Sequence, residues 1–274
     1  MEKKIVSLLI FVLLINPSWS IAHPHTKQSQ YREIECSIKP IDRSKIHPTE
    51  GASTSGQVNS SNWSGYASAP SLVNPAVGSV TYVSGNWTVP QLVATSDATY
   101  CAIWVGIDGF LDPTVEQIGT SHNWIDGAQQ NYVWFEMYPN GAYEIEGFPL
   151  NIGDKMAAVV NYAGNDVFHL TISNHTQGVG FAVPISYTTA ANTERSSAEW
   201  IVEAPFSGGI LPLSNFQATN FTGCFAIING FSGAINNDRW QNDEITMVDG
   251  SVVKSEPTPL MVNGTSFEVI WNHQ

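Results

Sequence analysis

The chain has 274 residues, of which 43% are hydrophobic and only 13% charged, with 11 Lys and Arg against 24 Asp and Glu and a formal net charge of −13. So few basic residues exclude a nucleic-acid binder, because phosphate contacts rest on Lys and Arg clusters, and an anionic membrane surface would repel the chain. Scarce charge and an excess of carboxylates suit an acidic medium, where a protein poor in Lys and Arg gathers little positive self-repulsion.

In chain order, Lys3 and Lys4 precede an apolar run from Ile5 to Ile15, followed by Pro17 and the small residues Ser20 and Ala22. This pattern predicts a secretory signal peptide over residues 1–22, cleaved after Ala22 or, failing that, after Ser20. Asn16 and Pro17 break the run before the roughly 20 apolar residues of a membrane span, so no membrane anchor is expected. Residues 23–57 are rich in Ser, Pro, Gln and charge and predict a pro-segment or linker.

Residues 23–50 hold five Lys or Arg against Glu33, Glu35, Asp42 and Glu50. Residues 51–274 hold Lys155, Arg195, Arg239 and Lys254 against nineteen Asp and Glu, a net charge of −15. A slightly cationic segment ahead of an anionic body suggests that it sits on the body at neutral pH and leaves as carboxylates are protonated. An unstructured leader without regulatory consequence is the other reading.

Residues 58–274 are enough for one large all-β domain, and no second domain is needed. Apolar alternation of period two recurs in VTYVSGNWTV, YVWFEMYP, KMAAVVNYA, DVFHLTIS, AEWIVEAP, DEITMV and TSFEVIW, predicting strands. Turn-forming groups such as YPNGAYE, FPLNIGD, NYAGND and SNHTQG separate them, and no stretch has a capped helical period. Short strands at regular spacing predict an antiparallel sandwich or barrel. Parity then groups Glu199, Ile201 and Glu203 on one face, opposite Trp200 and Val202, which puts Glu199 on a face open to solvent. It also groups Tyr132, Trp134, Glu136 and Tyr138, aromatics around a carboxylate that suit a binding floor.

Cys36 falls in the leading segment, leaving Cys101 and Cys224 as either one disulfide of an exported protein or two buried thiols. Sequons stand at Asn62, Asn86, Asn174, Asn220 and Asn263.

Five motifs occur in order: SNWSGY at 61–66, WVGIDG at 104–109, EQIG at 116–119, WFEMYP at 134–139 and AEWIVE at 198–203, with FTGC at 221–224 and QNDEITMV at 241–248 beyond them. In order and spacing they resemble the glutamic peptidases (eqolisins), over roughly residues 60–272. The resemblance implies a concanavalin-like jelly-roll sandwich of two large curved antiparallel sheets, with substrate on the concave face of one. It also implies a catalytic dyad of the glutamate in the AEW motif and the glutamine in the Q-x-G motif, here Glu199 and Gln117. Trp104, Asp108, Trp134, Glu136 and Tyr138 match positions that line the substrate cleft. The resemblance departs at Tyr132, where fungal members carry an aspartate, which implies a different subsite preference.

The pairing makes chemical sense. Hydrolysis of a peptide bond needs a base for water, donors for the oxyanion and an acid for the leaving nitrogen. One carboxylate serves as base and then as acid, while an amide offers a donor and an acceptor at any pH. An ordinary Glu titrates at about 4.3, which suits a base working in acid. The implied enzyme is thus a secreted, monomeric acid endopeptidase acting on proteins or peptides, with no cofactor and no metal.

The main alternative is a carbohydrate-binding or glycan-cleaving jelly roll, because the architecture hosts both and its aromatic faces suit sugars. Glu199 with Glu203, or Glu144 with Glu146, would then supply the two carboxylates such chemistry needs. A non-catalytic adhesion module is a third option. The chain has no H-E-x-x-H zinc motif, no G-x-S-x-G elbow, and no Asp-Thr-Gly or Asp-Ser-Gly.

Overall fold

β-Branched and aromatic residues at every second position let a segment bury one face and expose the other, which is why the alternating segments form strands. A computed structural model describes residues 32–33, 37–40, 56–110, 112–186 and 193–274, and among these are 18 strands and no helix. The predicted strands are present as Val80–Thr88 (β5), Ala128–Tyr138 (β8), Lys155–Gly164 (β10), Val167–Asn174 (β11), Ala198–Glu203 (β13), Gln241–Asp249 (β16) and Phe267–Trp271 (β18).

The strands form a β-sandwich. The first sheet runs β12 (Val179–Ser186), β11, β10, β5, β14 (Ala218–Ile228) and β15 (Phe231–Ala234), all antiparallel, with β1 (Arg32–Glu33) added parallel to β12. The second runs β2 (Ser37–Pro40), β9 (Tyr143–Glu146), β8, β7 (Val115–Ile125), β6 (Ala102–Ile107), β13, β4 (Trp63–Ala69) and β16, again antiparallel. β3 (Gln57–Ser60) lies parallel to β16, and β17 (Val252–Pro257) and β18 lead back to β14, whose two halves thus belong to different sheets.

β1 and β2 fall inside the segment read as a pro-segment or linker, and their backbones pair with one edge of each sheet. Apart from residues 56–57, the rest of that segment and the signal sequence, with Cys36, lie outside the described residues. All described residues belong to one compact unit, Tyr31–Gln274. No described helix is long and apolar enough to cross a membrane.

Between the sheets lies the main core, which includes Trp87, Ile103, Val105, Phe168, Leu170, Trp200 and Phe221. Two indoles tie one sheet to the other by donating across it, Trp200 Nε1 to the Ser84 carbonyl at 2.8 Å and Trp87 Nε1 to Thr120 Oγ1 at 2.9 Å. Gly85 makes room for the first, since a Cβ there would lie 2.9 Å from Trp200 Cδ1. Truncating either tryptophan to alanine removes about 3–5 kcal/mol.

The second sheet also buries its other face. Trp63, Ala67, Trp104, Phe110, Val115, Trp134, Ile201 and Ile245 pack together there. The loop after β6 contributes to the cover, because Gly109, at φ 102°, lies against Trp63 where a Cβ would come within 2.8 Å of the indole. Burial on both faces explains why β4, β6 and β7 show no alternation of polar and apolar residues.

Both Cys101 and Cys224 are free, buried thiols within the main core, so the disulfide alternative is corrected. Burial pushes both thiols well up from their ordinary range, with Glu203 adding to the effect on Cys101. Two sequons are closed in the folded chain: Asn62 donates to Glu203, and Asn174 donates to the Pro149 carbonyl and to Asp154.

Candidate active site

Cross-strand register assembles the site. Reading across the second sheet, Glu136 on β8 faces Gln117 on β7, Gln117 faces Gly106 on β6, Gly106 faces Glu199 on β13, Glu199 faces Ala67 on β4, and Ala67 faces Asp243 on β16. Residues directly opposite on neighbouring strands share a face, so this is one polar row. Beside it runs an apolar row, from Ile245 through Gly65, Ile201, Trp104 and Gly119 to Trp134. Gly119 and Gly65 are required there, since a Cβ at Gly119 would strike the backbone of Ile103 and the Trp104 side chain, and one at Gly65 the Trp200 carbonyl.

Glu199 and Gln117 are therefore two strands apart, about 10 Å between Cα atoms at 4.7–4.9 Å per strand. Their side chains face each other over Gly106. A Cβ at Gly106 would lie 2.8 Å from Trp104 Cζ3 and 3.3 Å from Gln117 Cβ, so glycine keeps this gap clear. Gln117 Nε2 donates to Glu136 Oε2 at 2.8 Å. The amide orientation is the one in which Nε2 donates to this carboxyl oxygen. One N–H of the amide remains, and Gln117 Oε1 is buried without a partner.

Both carboxylate oxygens of Glu199 are likewise buried and lack a hydrogen-bond partner. Sequence parity puts Glu199 on the correct face, but that face is not open: Glu199 and Gln117 are 0% exposed. Burial pushes the Glu199 carboxyl well above the ordinary range, against a favourable influence from the nearby Ser197 hydroxyl, and the charges of Asp108 and Asp112 push it further. An ordinary Glu is thus not what the structure holds.

The other candidate residues separate into two groups. Trp134, Glu136 and Tyr138 stand on the same face as Gln117, with Trp134 buried and Tyr138 partly so. Burial and then Glu136 raise the Tyr138 hydroxyl. Trp104 joins them, its Nε1 donating to Glu203 Oε2 at 2.8 Å and its ring meeting Trp63 edge-on at 5.0 Å.

Asp108, expected as a substrate contact, is buried and clamps the backbone. At φ 73° it accepts the N–H groups of Arg195 and Ser196 at 2.6 Å each, and its own N–H donates to the Ser197 carbonyl. The turn into β13, and with it Glu199, is held by this carboxyl. Ser196 Oγ continues the chain to Asp112 Oδ2 at 2.8 Å.

Sequence reading did not find Glu116, which parity on β7 turns away from the row and into the core with Ile118. It is 0% exposed, and among the described residues no N–H or hydroxyl group donates to either oxygen. Burial raises its carboxyl first, then the charges of Asp108 and Asp112, then a hydrogen bond to Asp108 and the charge of Glu199. Two carboxyl groups bond only when one carries a proton, so Glu116 and Asp108 form a site for one. Its adjacency to Gln117 in EQIG was the available signal. Among the described residues no group of three or more His, Cys, Asp or Glu is arranged to hold a metal ion.

Comparison with known proteins gives a consistent answer. Residues 61–259 match the Peptidase A4 family. Aspergillopepsin-2 of Aspergillus niger is 28% identical over 243 residues, covering 80% of each chain. Scytalido-glutamic peptidase, solved with a transition state analog inhibitor, superposes with a TM-score of 0.65 at 22% identity, covering 77% of this chain and 98% of that one. Aspergilloglutamic peptidase from Aspergillus niger superposes with a TM-score of 0.57 at 24% identity, covering 64% of this chain and 99% of that one.

Proposed function

The chain belongs to the Peptidase A4 family and is a glutamic-type peptidase, and from that premise we propose that it is an exported acid endopeptidase whose dyad is Glu199 and Gln117. The observation that carries this reading is the row itself. A carboxylate and an amide, each with unused hydrogen-bonding capacity, face each other across a glycine.

In the reaction, Gln117 Oε1 accepts a hydrogen bond from the attacking water while ionised Glu199 takes that water's other proton. The water oxygen bonds to the scissile carbonyl carbon, and the oxyanion is met by the remaining N–H of Gln117 Nε2. Collapse of the tetrahedral intermediate breaks the C–N bond as neutral Glu199 returns its proton to the leaving nitrogen. Glu136 holds the Gln117 amide in the orientation these steps need. Both members come from one chain, so a monomer suffices, and no step calls for a metal or cofactor.

Closure and protonation go together in the full chain. Burial raises the Glu199 carboxyl and so disfavours the ionised form that a base needs, which suits a latent precursor. Opening of the face hydrates Glu199 and returns it towards the carboxylate range. Removal of the cationic segment before residue 58, as body carboxylates are protonated in an acidic exterior, is the maturation step that fits the charge distribution. Purified precursor then shortens on incubation in acid and stays intact at neutral pH.

The test is proteolysis of a denatured protein at about pH 3–4, around the reference range for Glu, with circular dichroism to establish that each variant folds. Matured wild type cleaves and is insensitive to pepstatin, while folded Glu199→Gln and Gln117→Ala are inactive. A folded, matured wild type that cleaves nothing across the acidic range removes the proposal. The glycan-cleaving alternative draws no support from the geometry of Glu199 with Glu203. Glu199 and Glu203 are four residues apart on one strand, about 13 Å between Cα atoms, against the roughly 5–9.5 Å between carboxyl groups that glycosidases use, and Glu203 is already bonded to Trp104 and Asn62.

A further inference from the structure

The carboxyls of Asp108, Asp112, Glu116 and Glu199 lie close together where β6 ends and β13 begins, and hydrogen-bond donors are shared unequally among them. Asp108 Oδ2 accepts the Arg195 N–H and Oδ1 the Ser196 N–H, each at 2.6 Å. Asp112 Oδ1 accepts the N–H and the hydroxyl of Thr114 at 3.0 and 2.8 Å, and Oδ2 the Ser196 hydroxyl at 2.8 Å. Glu116 receives no such donor, although it is fully buried. Register places it beside the clamp, because Glu116 pairs with Ile107, the residue before Asp108.

The hydrogen bond between Glu116 and Asp108 needs one proton between two carboxyls, and the donors decide which of them carries it. Asp108 accepts at both oxygens, and its two backbone N–H partners favour the charged form. Glu116 has no donor to support a charge that burial makes costly. The proton therefore sits on Glu116, which donates to Asp108. The remaining groups around Glu116 do not offset its charge. Asp112 and Glu199 are acidic, its partner on β8 is Met137, and Glu136 lies on the opposite face, bonded to Gln117. β10 and β11 of the first sheet pack against β7, and Tyr162 is the one titratable residue they give to the core. Their Lys155 and His169 are exposed, and the Arg195 guanidinium is turned to the Tyr162 ring and the Val80 carbonyl.

We propose that Glu116 is a positioning residue of the peptidase centre: as a neutral acid it completes the clamp that aims Glu199, and loss of its proton sets the neutral-side limit of activity. The inference rests on the Glu199–Gln117 reading and adds a limit that the dyad does not contain. Glu199 must be ionised to take a proton and Gln117 does not titrate, so the dyad alone gives a rate that climbs with pH and levels off. When Glu116 ionises, two carboxylates face each other in a buried site, where their repulsion is poorly screened. The bond is lost and the chain entering β13 shifts with Glu199, and a displacement of about 1 Å costs on the order of a hundredfold in rate. Burial, with the charges around it, raises the Glu116 carboxyl. A group raised in this way contributes fully in acid and loses its contribution as pH rises through its folded value, so the clamp is intact in acid and fails towards neutrality.

Matured wild type, Glu116→Gln and Glu116→Leu are assayed on one peptide from about pH 3 to 7.5, spanning the ordinary and raised ranges of Glu, after circular dichroism shows that each folds. The kcat/KM of wild type rises and then falls. Glu116→Gln still donates to Asp108 but has no proton to lose, so its fall moves up by at least about one pH unit or disappears. Glu116→Leu donates nothing, and its kcat lies below that of Glu116→Gln by about tenfold or more throughout, with KM changed by less than about threefold. A readout independent of turnover is carboxyl carbon-13 NMR of Glu-labelled Glu199→Gln protein, the Glu116 signal being identified by its loss when Glu116→Gln is added. That signal keeps its acid-form position well above the ordinary titration at about 4.3. A wild-type rate that levels off without falling, a Glu116→Gln profile superimposable on wild type, a Glu116→Leu kcat equal to that of Glu116→Gln, or a Glu116 signal titrating near about 4.3 each overturns this assignment and leaves the dyad standing. Wild type that cleaves nothing across the acidic range removes the peptidase reading and this assignment with it.

Discussion

The two ends of β7 bury a titratable side chain each, six residues and about 20 Å apart on one face of one strand, and they do so in opposite ways. At one end no N–H or hydroxyl among the described residues donates to Glu116, whose neighbours are three further carboxyls, Asp108, Asp112 and Glu199. At the other, His122 is bonded through both nitrogens, Nε2 to Thr120 Oγ1 at 2.8 Å and Nδ1 to Asn131 Oδ1 at 2.9 Å. Because Asn131 Oδ1 is an acceptor, which also accepts from Gln129, His122 donates from Nδ1. Thr120 Oγ1 accepts from Trp87 and keeps its own proton to donate to Nε2 of a neutral imidazole.

Each end is built for a neutral group, but neutrality lies on opposite sides of the pH scale. Glu116, Asp108 and Glu199 have carboxyls raised above their unfolded range. Their contribution is fully present below about pH 4 and is lost as pH rises through their folded values. Burial lowers His122 to about 4 from an ordinary 6.5, against the opposing hydrogen bond to Asn131. Its contribution is present above about pH 6.5 and is lost as pH falls through 4, on the order of 3 kcal/mol in all. The carboxyl end favours acid and the imidazole end sets the lower limit of what the fold tolerates.

The sharpest way to break this contrast is Glu199→Gln, because it separates activity from stability. Cleavage should fall by at least about a thousandfold, within the range general acid–base catalysis contributes, while urea unfolding at pH 7 shows a variant more stable than wild type. A Glu199→Gln protein with unchanged activity would falsify the dyad.

Replacing His122 with leucine attacks the other end. The variant should be less stable than wild type at pH 7 by about 1–3 kcal/mol, the worth of the lost bonds. The deficit should close as pH falls from about 6.5 towards 4, since only wild type has an imidazole to protonate. Smaller still is Glu116→Gln, expected to gain more than about 1 kcal/mol at pH 7, where an unpaired buried acceptor is most costly, and little at pH 4. Equal effects at both pH values would mean that Glu116 is not titrating.

The smallest effect tests the cysteines. With Cys36 replaced by serine, dithiothreitol should leave Tm unmoved, whereas a Cys101–Cys224 bridge worth about 2–4 kcal/mol would shift it by several degrees.

Much of this was legible in the sequence. Strands with one wet face announced themselves by alternation, as Lys155–Gly164 and Gln241–Asp249 did. Parity grouped Glu199 with Ile201 and Glu203, and Tyr132 with Trp134, Glu136 and Tyr138, all on the faces the structure gives them. The motifs that resemble glutamic peptidases pointed to the family to which the chain belongs. β4, β6 and β7 carried no such alternation because both of their faces are covered, and these strands supply Ala67, Gly106 and Gln117.

The sequence by itself determined the all-β class, the family, and the face of each alternating strand, because side-chain direction repeats every two residues whatever the strand pairs with. Register, burial and partnership were decided only by the tertiary structure. Gly106 gained a place between Glu199 and Gln117, and Asp243 a place in the same row, from pairings between residues 93 and 176 apart in sequence. Asp108 became a clamp on the chain entering β13 because folding brought Arg195 and Ser196 to it. The acidity of Glu199 was set by the water that the fold excludes, and exclusion of water is a property of the assembled sandwich that no local pattern records.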